Sequence, residues 1–196
     1  NVGALSVDNL VNQTFYSKDE FFDLFSIDLN ISSILTTFHP ETVNFEKNEE
    51  YIEELLEALN VLKDEFQIII TMPNSDTMGN MIREKINKFS KDQTRVKVVE
   101  SFGMKGYLSC MKECAFLLGN TSSGFVEAAF FPKWVINLGN RQDGRIITEN
   151  IISSPITKNA ILATVASLKN KKTPQNVNIY GDGTASDNII SILKSL

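Results

Sequence analysis

Short, largely apolar, β-branched runs alternate along this chain with longer stretches in which apolar positions recur every three or four residues. The first kind comprises ISSILTTF at 31–38, FQIIIT at 66–71, RVKVVE at 95–100, AFLLG at 115–119 and WVINLG at 134–139, with a shorter sixth run, NIIS, at 150–153. The second begins at 48–63, where Ile52, Leu55, Leu56, Leu59 and Leu62 share one helical face. It recurs at 77–89, from about Gly106 onward, and at 157–169, and SKDEFFDLFSID reads as a further short helix. Strand-like and helical runs in alternation predict a parallel α/β domain, and near-continuous rather than alternating strand runs predict helices on both sheet faces. The tail TASDNIISILKSL predicts a closing helix capped by Thr184 or Ser186, with Ile189, Ile190, Leu193 and Leu196 as its buried stripe. The organisation expected is therefore a helix and linker over 1–30, a ligand-binding α/β domain over 31–183, and the closing helix over 184–196.

Composition narrows the class. The 196 residues are 42% hydrophobic and 22% charged, with 19 Lys+Arg against 24 Asp+Glu for a net charge of -5. That is an ordinary globular balance, and it excludes disorder and fibre. No run approaches the roughly 18 apolar residues of a membrane span, and the opening NVGALSVDNL has neither a basic start nor an apolar signal segment. The expectation is a chain that neither spans a membrane nor directs its own secretion. The acidic balance argues against nucleic acid as a partner but leaves small anions open, because backbone N–H groups offer positive potential without net charge. Cys110 and Cys114 lie one helical turn apart, and the single histidine, His39, is remote in sequence. Two buried, reduced thiols are expected, with no metal and no disulfide framework, which fits a cytoplasmic protein.

Candidate chemistry gathers where strands end. Gly119-Asn120-Thr121-Ser122-Ser123-Gly124 joins the fourth strand to an apolar helical run. Its small residues allow close backbone approach, and its hydroxyls and the following N–H groups suit an anion, although the same turn also serves as a plain N-cap. It is neither a P-loop nor a G-x-G-x-x-G fingerprint, and G-x-S-x-G is absent. Glu127, three residues after Gly124, either caps the helix or accepts hydrogen bonds from two adjacent ribose hydroxyls. His39 ends the first strand before Pro40, at the sheet edge where α/β ligands bind, and is either a phosphate donor or a packed ring satisfied by backbone. Glu41 follows it with no stated direction. Phe102, after the third strand, is either core or a platform for a base. Arg141 and Arg145, after the fifth, either neutralise phosphate or hold their turn through Asp143.

Taken together, LTTFHPE, PNSD, ESFG, GNTSSGFVEAAFF, INLGNRQDGR and YGDGTASDNI resemble the C-terminal half of the UDP-N-acetylglucosamine 2-epimerases, in the right order over essentially the whole chain. INLGNRQDGR is more similar to the hydrolysing branch, which serves sialic acid and related nine-carbon sugars. The resemblance implies a Rossmann-like three-layer α/β/α domain, the C-terminal half of a GT-B-like fold that grips UDP. It implies that His39 contacts the diphosphate and assists its departure, that Ser122, Ser123 and Gly124 form the phosphate turn, that Glu127 holds the uridine ribose, and that Phe102 lies by the uracil. Arg141 is the accompanying cation. No cofactor beyond the UDP-sugar ligand is implied. The partners are the nucleotide-sugar and the missing N-terminal half, which carries the acid/base carboxylates, in an enzyme expected to be homo-oligomeric. The implied reaction eliminates UDP through a glycal-like intermediate and adds water with inversion at C2, so this half alone is expected to bind without turnover. The alternatives are the non-hydrolysing epimerase, a related UDP-sugar glycosyltransferase and a noncatalytic nucleotide-binding domain.

Overall fold

The computed structural model describes residues 1–41, 45–73, 79–175 and 178–195. Strands β1 (Ser33–Thr37), β2 (Gln67–Thr71), β3 (Val96–Val99), β4 (Phe116–Gly119), β5 (Trp134–Leu138) and β6 (Ile151–Ser154) form one parallel sheet. Its order is β3-β2-β1-β4-β5-β6, that of a Rossmann-like α/β/α domain, and the chain reverses its direction of travel across the sheet between β1 and β4. All six sequence-predicted strands are present, displaced by at most two residues at either end. The expected turn at Asn74–Asp76 lies outside the described residues, as does the predicted helix start at 77 and 78.

Helices α3 (Asn48–Leu62), α4 (Gly79–Ser90) and α7 (Lys158–Leu168) cover one face of the sheet. The face predicted for α3 is the buried one, with Ile52, Leu55, Leu59 and Leu62 inside and Leu56 partly so. Helices α1 (Leu5–Val11), α2 (Lys18–Phe25), α5 (Gly103–Glu113) and the short α6 (Glu127–Phe130) cover the other. Cys110 and Cys114 are buried there as free thiols. Strand side chains alternate between faces, so Ile34, Ile70, Leu118, Ile136 and Leu138 feed the first core while Leu35, Ile69, Leu117 and Val135 feed the second.

The ends of the chain depart from expectation. Residues 1–30 are built into the domain: Val7, Leu10, Phe21, Ile27 and Leu29 are all buried, and α1 packs on α6 and on α8 (Ala185–Ser195). The polar opening hid α1 because only two of its side chains go inside. In α8 the expected stripe is not buried. Ile190 and Leu193 are 49% and 64% exposed, Ile189 is half-buried and Ala185 is the buried residue, while Leu196 lies outside the described residues. Thr184, one of the two expected caps, stands immediately before the helix with its carbonyl accepting from the Asn188 N–H, while the Asp8 carboxylate on α1 accepts from the N–H groups of Ala185 and Ser186 and from the Ser186 hydroxyl.

Candidate functional site

The strand-order reversal between β1 and β4 opens a crevice beyond their C-terminal ends, the place where open α/β sheets take ligands. Gly119 is required there by space, since a Cβ would stand 2.0 Å from the Thr37 carbonyl oxygen. This close approach brings Asn120 beneath the end of β1. The Asn120 amide, fully buried, accepts from the His39 N–H at 2.7 Å and donates to the His39 carbonyl at 2.8 Å. Gln142 donates to the Asn120 carbonyl at 2.7 Å, and Arg145 Nε donates to Gln142 Oε1 at 2.7 Å. Glu41 turns inward: it is 2% exposed, and its Oε1 accepts from the N–H groups of Asn140 and Arg141. A Cβ on Gly139 would meet that same oxygen at 2.6 Å, and its φ of +67° also suits glycine. The ends of β1, β4 and β5 are thus cross-braced by side chains, and half-buried His39 is held at their centre.

The turn after β4 is a 3-10 turn, Ser122–Gly124, followed by Phe125 and Val126 before α6 begins at Glu127. The sequence reading expected a helix starting directly from the turn. Instead the turn's own carbonyls take the N–H groups of Gly124, Phe125 and Val126, and a four-residue helix has little macrodipole to lend an anion. Hydroxyls carry the polarity in its place. Ser122 is exposed, and the Ser123 hydroxyl lies 2.7 Å from the Tyr107 phenol and 3.2 Å from Thr121 Oγ1. Gly124 packs on β5 so closely that a Cβ would approach Val135 to 2.9 Å.

Ser123 and Glu127 come together with Tyr107, Met104, Asn9 and Leu10 on a small cleft of about 130 Å³. Burial pushes the Glu127 carboxyl above its ordinary value, its own backbone N–H works against the rise, and the Arg145 guanidinium nearby opposes it as well. The same arginine and Glu127 both bear on Tyr180. Arg145 is thus a cation whose charge reaches this carboxylate without an ion pair among the described residues. The predicted Arg141 serves as a brace, donating from Nη1 to the Pro40 carbonyl at 2.7 Å.

Phe102 takes the core alternative. Its ring is 7% exposed and lies 5.2 Å from Phe21 and 4.8 Å from Phe25, edge to face with the latter, so it cannot stack on a base in this conformation. The structure thus brings Ser123 and Glu127 together on one cleft, with His39 fixed at the neighbouring strand end. Sequence reasoning missed Asn120 as a clamp and gave Tyr107 and Gln142 no part. Nothing local marks these three, whose partners are between 16 and 81 residues away. A hollow of about 730 Å³ lies between α3 and α4, away from the strand ends. There Lys85 pairs with Glu49 and Glu53, and Lys158 with Glu57. No group of three or more His, Cys, Asp or Glu residues placed to hold a metal occurs among the described residues, and no helix among them is long and apolar enough to cross a membrane.

Residues 1–194 match the sequence profile of the UDP-N-acetylglucosamine 2-epimerase family. The hydrolysing UDP-N,N'-diacetylbacillosamine 2-epimerase of Legionella pneumophila is 31% identical over 195 residues, covering 100% of this chain and 51% of the relative. The hydrolysing GDP/UDP-N,N'-diacetylbacillosamine 2-epimerase of Campylobacter jejuni is 34% identical over 177 residues, covering 90% and 45% respectively. The chain spans about half the length of these curated relatives. The UDP-GlcNAc 2-epimerase of Neisseria meningitidis, solved bound to UDP-GlcNAc, superimposes with a TM-score of 0.79 over 100% of this chain and 55% of its own, at 19% identity. The fold is shared with these GT-B-like enzymes.

Proposed function

The chain belongs to the UDP-N-acetylglucosamine 2-epimerase family, and from that premise we propose that it is the UDP-gripping half of a hydrolysing epimerase. The enzyme converts a UDP-linked 2-acetamido sugar and water into the 2-epimeric free sugar and UDP. The observation that carries this reading is the convergence of Ser123 and Glu127 on one cleft with Arg145 alongside and His39 clamped at the adjacent strand end. A nucleoside diphosphate presents matching groups: a vicinal diol for the carboxylate, and phosphoryl oxygens for the hydroxyls and cation. In this reading His39 stands against the departing diphosphate, where donors aimed at developing charge speed bond breaking. Abstraction of the C2 proton falls to a base on another part of the enzyme, so this chain alone binds without turnover. The names of the two relatives at 31% and 34% identity favour the hydrolysing outcome and a diacetamido sugar.

Calorimetry with UDP and UMP on the wild-type chain, Glu127→Ala and Ser123→Ala tests the proposal. The expected pattern is saturable UDP binding, weaker UMP binding, and a loss of about tenfold for each substitution, typical of a hydrogen bond involving a charged group. A folded chain that ignores millimolar UDP would overturn it.

A further inference from the structure

Ser123 is the end of a line of hydroxyls that begins two strands away. The Thr71 and Thr37 hydroxyls, paired by register on β2 and β1, lie 2.5 Å apart. Thr37 is near enough to the Tyr107 phenol to hold its ionisation down against the effect of burial. Tyr107 in turn lies 2.7 Å from Ser123, and Ser123 3.2 Å from Thr121. The line crosses from the sheet edge to the turn in an otherwise apolar layer, between Ile69, Leu35 and Leu108.

Each hydroxyl has one proton to give, so none in the line can donate to both of its neighbours. A phenol is a stronger donor than an aliphatic alcohol, and the Tyr107 phenol keeps its proton throughout the neutral range because burial pushes its ionisation up to about 12. The favoured sense at the 2.7 Å contact is therefore Tyr107 to Ser123, which leaves the phenol no proton for Thr37. Ser123, already receiving a proton, then has its own to present. The Thr121 oxygen at 3.2 Å is a long and weak competitor for it.

Building on the UDP reading above, we propose that Tyr107 is a positioning residue of the phosphate turn: by donating to Ser123 it aims that residue's single proton outward, toward a phosphoryl oxygen of the nucleotide. Without the phenol, Ser123 is free to rotate and donate to Thr121 or inward, and the turn offers the anion a lone pair instead of a proton. Tyr107 acts on the ligand only through Ser123.

The test is a double-mutant cycle on UDP affinity by calorimetry, with uridine as a probe that lacks the phosphates and thermal unfolding as the check on folding. Tyr107→Phe removes one oxygen and keeps the ring. It is expected to weaken UDP about fivefold to tenfold, to leave uridine unchanged, and to have no further effect in the Ser123→Ala background. Thr37→Val, which removes the hydroxyl beside Tyr107, is expected to weaken UDP about twofold to threefold, and Thr37→Ser, which restores a hydroxyl there, to return wild-type affinity. The Thr37 pair decides the matter should Tyr107→Phe fail to fold. UDP binding that Glu127→Ala weakens but Tyr107→Phe does not overturns the hydroxyl line alone, as does a Tyr107→Phe loss that persists undiminished in Ser123→Ala. A folded wild-type chain that binds no UDP overturns the functional reading and this inference with it.

Discussion

The two faces of the sheet run in register yet end differently. On the face covered by α3, α4 and α7, the strands are apolar to their C-terminal edge apart from buried Thr36, through Phe38, Ile70, Leu118 and Leu138. On the other face, Leu35, Ile69, Leu117 and Val135 give way two residues later to Thr37, Thr71, Gly119 and Asn137, which pair in one row across β2, β1, β4 and β5. One face is spent on stability alone, while the other turns polar at the edge where Ser123, Glu127 and Tyr107 gather. Because side chains alternate with period two, a strand read as a continuous apolar run carries both programmes, and a single substitution can address either.

The largest effect is expected on the apolar face. Leu59→Ala in α3 empties a fully buried position and should cost about 2–5 kcal/mol, lowering the unfolding temperature by roughly 5–15 °C, while UDP affinity of the remaining folded protein stays at the wild-type value. Asn120→Ala crosses the boundary between the two programmes. It strands the N–H and carbonyl of His39 and should cost about 2–4 kcal/mol, and the lost clamp should weaken UDP as well, so calorimetry and thermal unfolding must both move.

Glu127→Gln should separate the two in the opposite direction. The folded protein raises this carboxyl above its ordinary 4.5, so the ionised form is disfavoured in the fold and the stability linked to the protonated form is lost as pH rises through the folded value. The neutral variant should therefore unfold at a slightly higher temperature than wild type at pH 7, with the advantage vanishing below about pH 4 where both side chains are uncharged. Its UDP affinity should fall about tenfold. A variant that loses stability together with affinity would mean that Glu127 is a structural cap. The smallest effect is expected at Ile190→Ser, whose side chain is half exposed on α8: a change within about 0.5 kcal/mol in either direction by denaturant titration.

These contrasts also mark what could be read in advance. The strands and α3 were legible because burial on both faces demands uninterrupted apolar runs and a helix with a continuous stripe. The turn from Gly119 to Glu127 was legible because close approach leaves only small residues. What could not be read was direction. The motif points to His39, Ser123 and Glu127, but that Arg141 reaches the Pro40 carbonyl while Arg145 holds Gln142 against Asn120 follows from contacts with no sequence periodicity. Phe102 occupied a plausible place for a base platform, and its ring was claimed instead by Phe21 and Phe25 from a helix far upstream. In α8 an apolar stripe was taken as a sign of burial, although helical periodicity records only that a face is apolar and not whether this domain covers it.

The Asp8 clasp on the start of α8 sets an order of events as well as a contact. Its acceptors and donors are separated by 177 and 178 residues. A ribosome adding about 5–20 residues per second needs roughly 10–35 s to travel that distance, far longer than an isolated helix takes to form or melt. During that interval α1 lacks its partner α8, so a helix made early in this domain is among the last to be fastened. Closing so wide a loop costs only slightly more entropy than closing one of half the size, because the penalty grows with the logarithm of length. The seam between α1 and α8 is thus slow to come within reach but cheap to shut.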